Sequence, residues 1–111
     1  KRKDKPQQVI DKININDLEI NISDSTVSRS GKNINLSPKE YQLLLMLAKA
    51  DGRLVMKHSI ADKLWDYQIE TSKNTIEVYI NFLRKKIDRD FPVKLIHTRP
   101  GYGYYLKEEN L

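Results

Sequence analysis

The chain has no cysteine, only two histidines and four glycines, and no long apolar run. Each scarcity removes a class of function. Without cysteine there is neither a disulfide framework nor thiolate-ligated zinc, and a reducing, cytoplasmic setting is the expected one. No segment approaches the roughly 18–20 apolar residues that cross a bilayer. The opening Lys1-Arg2-Lys3-Asp4-Lys5-Pro6 is basic with nothing apolar behind it, which is not the make-up of a signal peptide. It reads as linker, so residues 1–11 are expected to be a tail and residues 12–108 one domain, cut from a longer protein. His58 and His97 lack a Cys or a paired carboxylate at ligand spacing, so no metal, cofactor or catalytic site is expected. Gly101-x-Gly103 lacks the third glycine and following helix of a dinucleotide site. These lacks argue against an enzyme.

What the chain has in excess is positive charge, formally +5, and its placement says more than its sum. Residues 1–5 carry four basic side chains against one acidic. Residues 6–70 carry eight against nine, and residues 71–107 carry eight against three. The body is therefore polarised, with a near-neutral first half and a basic second half. A charge run alone is most often a solvated face, so the argument depends on where the cations fall.

From Lys12 the apolar residues alternate with period two: Ile13 and Ile15, then Leu18, Ile20 and Ile22 after Asn16-Asp17. That pattern predicts half-buried strands joined by a tight turn. Thr26–Arg29 and Asn33–Leu36, separated by Ser30-Gly31, predict a second pair. The first third reads as a small antiparallel sheet, a scaffold without chemistry. Ser37-Pro38-Lys39-Glu40 carries a cap, a proline suited to the first turn and a capping-box glutamate. It predicts a helix that buries Tyr41, Leu44, Leu45, Leu47 and Ala48 and ends at Asp51-Gly52. A second helix is expected over Lys57–Trp65, facing Ile60, Ala61 and Leu64 inward. Its start is poorly marked, since Met56 stands where a Ser or Thr would cap. After the polar stretch Asp66–Lys73, a third helix is expected from about Asn74 to Asp88. Lys94–Thr98 and Tyr104–Lys107 then predict two strands of a hairpin. Sheet, three helices, hairpin is the order of an α+β winged helix-turn-helix.

The third helix carries the sharpest expectation. At about 100° per residue, Ile76, Ile80, Leu83 and Ile87 share one sector and should pack on the core. Asn74, Val78, Asn81 and Lys85 point the other way, flanked by Glu77 and Phe82. Such a face suits the major groove of duplex DNA. Asn can pair with adenine, Glu can accept from the cytosine amine, and Val or Phe can pack on a thymine methyl. Arg84, Lys85 and Lys86 in the last turn can meet phosphates and also complement the helix dipole. An ordinary amphipathic helix is the plainer alternative, but it would rarely pair two apolar groups, Val78 and Phe82, opposite its core stripe. RNA recognition would call for exposed aromatic platforms, for which Tyr102 alone is thin support.

Four stretches together resemble the OmpR/PhoB-type effector domain of bacterial two-component response regulators. They are Leu36–Leu44, Trp65, the run Thr75–Ile87 (Thr-Ile-Glu-Val-Tyr-Ile-Asn-Phe-Leu-Arg-Lys-Lys-Ile) and Leu95–Tyr105 (Leu-Ile-His-Thr-Arg-Pro-Gly-Tyr-Gly-Tyr-Tyr). The resemblance covers about Ile10 to Lys107. It implies a four-stranded N-terminal sheet, three helices and a C-terminal β-hairpin wing over Leu95–Lys107. It also implies an upstream receiver domain phosphorylated by a sensor kinase, and cytoplasmic location in a bacterium. Binding to tandem direct repeats of double-stranded DNA would occur as a head-to-tail dimer, from a domain monomeric when isolated. RNA polymerase would meet the Asp66–Lys73 connection.

Carried over position by position, the resemblance implies base contacts from Asn74, Glu77, Val78, Asn81 and Phe82. It implies phosphate contacts from Trp65, Thr75, Tyr79, Arg84, Lys85, Thr98, Arg99, Gly101 and Tyr104. Trp65 has an equal claim as a core residue, and Tyr104 as packing on the third helix. Two departures stand out. Many relatives carry paired arginines where this chain has Asn81-Phe82, so it should lean less on guanine there. A wing arginine often immediately precedes the first glycine, where this chain has Pro100. Arg99 lies one residue earlier and one strand face away, which leaves open whether it substitutes.

Overall fold

The period-two alternation at the start of the chain becomes two strands, β1 (Lys12–Ile15) and β2 (Leu18–Asn21), paired antiparallel with Ile15 opposite Leu18. Asn16 turns the corner at φ 55°, a conformation asparagine tolerates. β3 (Thr26–Arg29) and β4 (Lys32–Ile34) follow, joined by Ser30-Gly31, both at positive φ (52° and 79°), as the type I′ hairpin turn requires. The structure, a computed structural model, describes residues 11–65 and 73–109. The tail over residues 1–10 and the connection over residues 66–72 lie outside the described residues.

The four strands form one sheet in the order β1-β2-β3-β4. Leu18, Ile20, Val27 and Arg29 are all buried, and strand alternation puts Val27 and Arg29 on one face. Three of these make core. The fourth, a fully buried arginine, corrects the reading of this sheet as a scaffold without chemistry.

α1 (Pro38–Lys49) begins as its sequence dictates. Ser37 Oγ accepts from the Glu40 N–H at 3.2 Å, and Glu40 Oε1 accepts from the Ser37 N–H at 2.9 Å. Leu43, Leu44, Leu47 and Ala48 are buried, while Tyr41 and Leu45 are half-buried at the margin of the stripe. The unmarked start of the second helix has a tertiary explanation. Val55–Met56 forms a two-residue strand, β5, which the sequence pattern does not announce. It pairs with the hairpin, and the N–H of Lys57 donates to the Tyr102 carbonyl at 3.1 Å. Hairpin backbone therefore satisfies a first-turn N–H of α2 (Lys57–Leu64), which Met56 caps without a side-chain hydrogen bond.

The third helix is two elements. α3 (Lys73–Leu83) is α-helical, and Arg84–Asp88 is a π turn, closed by the Arg89 N–H donating to the Arg84 carbonyl at 2.9 Å. This corrects the expectation of one α-helix to Asp88. The wider turn keeps Leu83, Ile87 and Asp88 all buried, which are i, i+4 and i+5. The hairpin strands are β6 (Ile96–Arg99), which starts two residues later than expected, and β7 (Gly103–Leu106), which is shifted by one residue, in a second sheet of order β5-β7-β6. Side chains from both sheets, α1, α2, α3 and the π turn close one core, with Ile20, Leu44, Ile60, Ile80, Leu83 and Leu106 all at 1% exposure or less.

Candidate nucleic-acid interface

The two faces of α3 separate as the 100° periodicity predicts. Ile76, Ile80 and Leu83 are buried, and Ile87 continues the stripe through the π turn. Asn74, Glu77, Val78, Asn81, Phe82 and Lys85 are all exposed. Val78 at 44% and Phe82 at 40% are among the few large apolar side chains so open to solvent. Phe82 is nevertheless held. Its ring meets the edge of Tyr79 at 5.6 Å, and Tyr79 meets Trp65 at 5.3 Å, both in T-shaped geometry. Lys39 of α1 completes this row, 5.3 Å over the Trp65 ring and bonded to the Leu64 carbonyl. Tyr79 and Trp65 are half-buried, so each joins the core margin and retains an open edge.

Glu77 pairs with Lys57 of α2 at 3.7 Å, both partly exposed. An exposed pair of this kind is worth under about 1 kcal/mol and releases cheaply. The three cations after α3 have different fates. The Arg84 guanidinium donates to Thr98 Oγ1 on β6, tying the helix end to the hairpin. Lys85 is exposed, and Lys86 turns away to Glu40 at 2.7 Å. Burial alone would push the Glu40 carboxyl up. The Lys86 ammonium and the Ser37 N–H outweigh it and hold Glu40 below the usual carboxylate range. Thr75 is half-buried at the start of α3.

On the hairpin, Thr98, Arg99, Pro100 and Gly101 are all exposed. Arg99 stacks over Tyr102 at 5.8 Å, so its side chain belongs to the hairpin tip. Gly101 sits at φ +84° with open space where a Cβ would go, so it serves the turn. Within the fold, the close backbone approach is at Gly103. A Cβ there would stand 2.0 Å from the Val55 carbonyl oxygen, so only glycine lets β5 and β7 pair. The only signal for it in the sequence is its place in Gly-Tyr-Gly-Tyr. Tyr104 is 3% exposed. Burial pushes its phenol up, as does Glu77, while Arg84 opposes. Of the two roles open to it, phosphate contact and packing on the third helix, its burial favours packing.

The largest omission from the sequence reading is Arg29. Its Nε donates to Asp17 Oδ1 at 2.7 Å, and Nη1 donates to the Ile87 carbonyl at 2.8 Å and Asp88 Oδ1 at 3.1 Å. Nη2 reaches the Val93 carbonyl, and Phe91 lies under the guanidinium at 4.7 Å. Asp88 accepts in turn from the N–H groups of Leu95 and Ile96, each at 3.0 Å. The buried network thus joins the first sheet, the end of the third helix and the first hairpin strand. A charged residue at a core-facing strand position, two after Val27, was the signal for it.

A family model described as "Transcriptional regulatory protein, C terminal" matches residues 31–106. The chain is 41% identical over 93 residues to the transcriptional regulatory protein PcoR of Escherichia coli, covering 84% of this chain and 41% of the relative. It is 38% identical over 91 residues to CusR of Escherichia coli K12, covering 82% and 40%. The chain therefore spans about two fifths of the length of these curated relatives. Among solved structures, the response regulator DrrB, a Thermotoga maritima OmpR/PhoB homolog, superposes with TM-score 0.78 at 29% identity, over 87% of this chain and 44% of that one. The Klebsiella pneumoniae RstA DNA-binding domain, solved in complex with the RstA box, superposes with TM-score 0.72 at 25% identity, over 86% and 96%. Among the described residues no helix is long and apolar enough to cross a membrane.

Proposed function

The chain belongs to the transcriptional regulatory protein C-terminal family, the winged-helix effector domains of OmpR/PhoB type, and from that premise we propose that it reads duplex DNA with the exposed face of α3. It is a response regulator's DNA-binding output domain, not an enzyme. One observation carries the finer reading. Val78 and Phe82 stand exposed among Asn74, Glu77 and Asn81, on a helix whose opposite side is locked into the core. Leaving two large apolar groups in water is unfavourable unless a partner covers them, and a thymine methyl beside amide-paired adenine is such a partner.

In this reading Asn74, Glu77, Val78, Asn81 and Phe82 meet base edges. Trp65, Thr75, Tyr79, Arg84, Lys85, Thr98, Arg99 and the Gly101 backbone meet phosphate and sugar. Glu77 leaves Lys57 to accept from a cytosine amine. The hairpin lies along the backbone and minor groove, where Pro100 stands before Gly101 and the exposed Arg99, stacked on Tyr102, is the side chain at its tip. The intact protein joins this domain to a phosphorylated receiver in the bacterial cytoplasm, under a sensor kinase. It occupies tandem direct repeats head to tail, and the Asp66–Lys73 segment is available to RNA polymerase.

Selection of bound duplexes from a random pool with this chain tests the reading. Enrichment of one A/T-containing motif, repeated in the same orientation, is expected. Recovery of duplexes with no common motif would remove the base-reading role of α3, while a single unrepeated motif would remove only the tandem arrangement.

A further inference from the structure

An open groove of about 410 Å³ runs beside the π turn, with Asn81, Arg84, Lys85, Asp88, Arg89 and Lys94 around an apolar floor at Ile96. Four of these are cations. Asp88, the single acid on the wall, is consumed: its oxygens accept from Arg29, Leu95 and Ile96, and its charge is matched by the buried guanidinium. Lys94 spends its ammonium hydrogens on the carbonyls of Asp88 and Phe91, both at 2.8 Å, and of Arg89 at 3.4 Å. Carbonyl dipoles hold that charge in place without neutralising it. Among the described residues the Arg89 side chain makes a long contact to Asp90, 3.6 Å, with both side chains 67% exposed, which water and salt screen. The groove is therefore a preformed positive trough. The π turn shapes it by splaying Arg84 toward Thr98 and leaving Lys85 and Arg89 open.

Its position selects the anion. One end is Asn81, on the exposed face of α3, and its flank is Arg84, which bonds to Thr98 of the hairpin. With α3 in the major groove and the hairpin on the adjoining backbone, the strand that separates the two grooves crosses this junction. We propose that the trough is an outer phosphate track. It carries the backbone of bound DNA past the end of the reading helix, where Arg89 contacts a phosphate beyond the bases read and Lys94 adds a fixed charge. This rests on the duplex-binding reading above. It makes the site longer on that side than base contacts alone would require, and it adds affinity that is blind to sequence.

The test titrates the whole chain, wild type and Arg89→Gln, with a duplex carrying the selected motif over a range of salt. Arg89 is exposed at the end of the turn, so the glutamine leaves the core untouched. Losing one phosphate contact should reduce the slope of log affinity against log salt by about 0.9 and leave the preferred sequence unchanged. A second duplex has its flanking phosphates on that side replaced by neutral methylphosphonates. It should weaken wild type severalfold, with a smaller loss for Arg89→Gln. An unchanged slope and equal losses, with wild type still binding its motif, would overturn the track and leave the reading helix standing. That result would also be expected if the trough received an acidic protein segment. Failure of wild type to bind any duplex would overturn both.

Discussion

Arg29 and Asp88, 59 residues apart in sequence, meet at 3.1 Å in the interior and join the first sheet to the end of the third helix. Both are buried, and the guanidinium donates to two carboxylates and two main-chain carbonyls. Breaking such a pair leaves an uncompensated buried charge, which costs about 3–5 kcal/mol. Arg29→Met is therefore expected to lower the unfolding free energy by that order in urea denaturation. A loss under about 1 kcal/mol, the scale of an exposed pair, would show the network to be dispensable.

The two hairpin glycines should respond differently to alanine. Gly101→Ala meets no neighbour but must hold φ near +84°, a strain of about 1–2 kcal/mol. Gly103→Ala drives a methyl group onto the Val55 carbonyl and must push β5 from β7. That also disturbs the Tyr102 carbonyl that serves the start of α2. Thermal melts should rank Gly103→Ala well below Gly101→Ala, and the reverse order would refute the assignment of close approach to Gly103.

Acid should unfold the protein partly through Glu40. Its folded carboxyl is held below the ordinary value of 4.5, so the unfolded chain binds the proton more tightly. The Glu40 contribution is complete above that ordinary value and is lost as pH falls through the lowered folded one. Glu40→Gln should flatten the stability-versus-pH curve in that acid window while lowering stability at neutral pH, where the Lys86 partner is lost. Parallel curves for the two proteins below pH 4.5 would contradict this.

On DNA, Asn81→Ala and Phe82→Ala should alter which sequences are preferred, because both groups are exposed on the reading face. Arg84→Ala should weaken binding to all duplexes about equally, as a phosphate contact would. The arginine also loses its bond to Thr98, so the hairpin should become more mobile, visible as faster amide exchange in β6. Competition binding against a panel of duplexes separates the two behaviours; a change of preference in Arg84→Ala alone would invert the division of labour.

Much of this was legible from local pattern. Ser37 and Glu40 announce their helix because a capping box is complete within four residues. The two faces of α3 follow from spacing alone, since helix geometry fixes which residues share a side. The π turn was not legible, because Arg84–Asp88 carries no sequence mark distinguishing it from an α-helical end. β5 escaped for a similar reason: two residues are too short to show alternation, and their partner is about fifty positions away.

By itself, the sequence determined the order of the larger elements and the outward face of the third helix. These are properties of neighbours along the chain, set by periodicity and residue type. Tertiary structure alone decided where Arg29 spends its charge, which glycine admits a neighbouring strand, and what satisfies the uncapped start of α2. It also decided that Lys86 serves Glu40 while Arg84 serves Thr98. Each of these depends on groups brought together by the fold. Burial then makes the pairing energetically compulsory, since a polar group removed from water must find a partner.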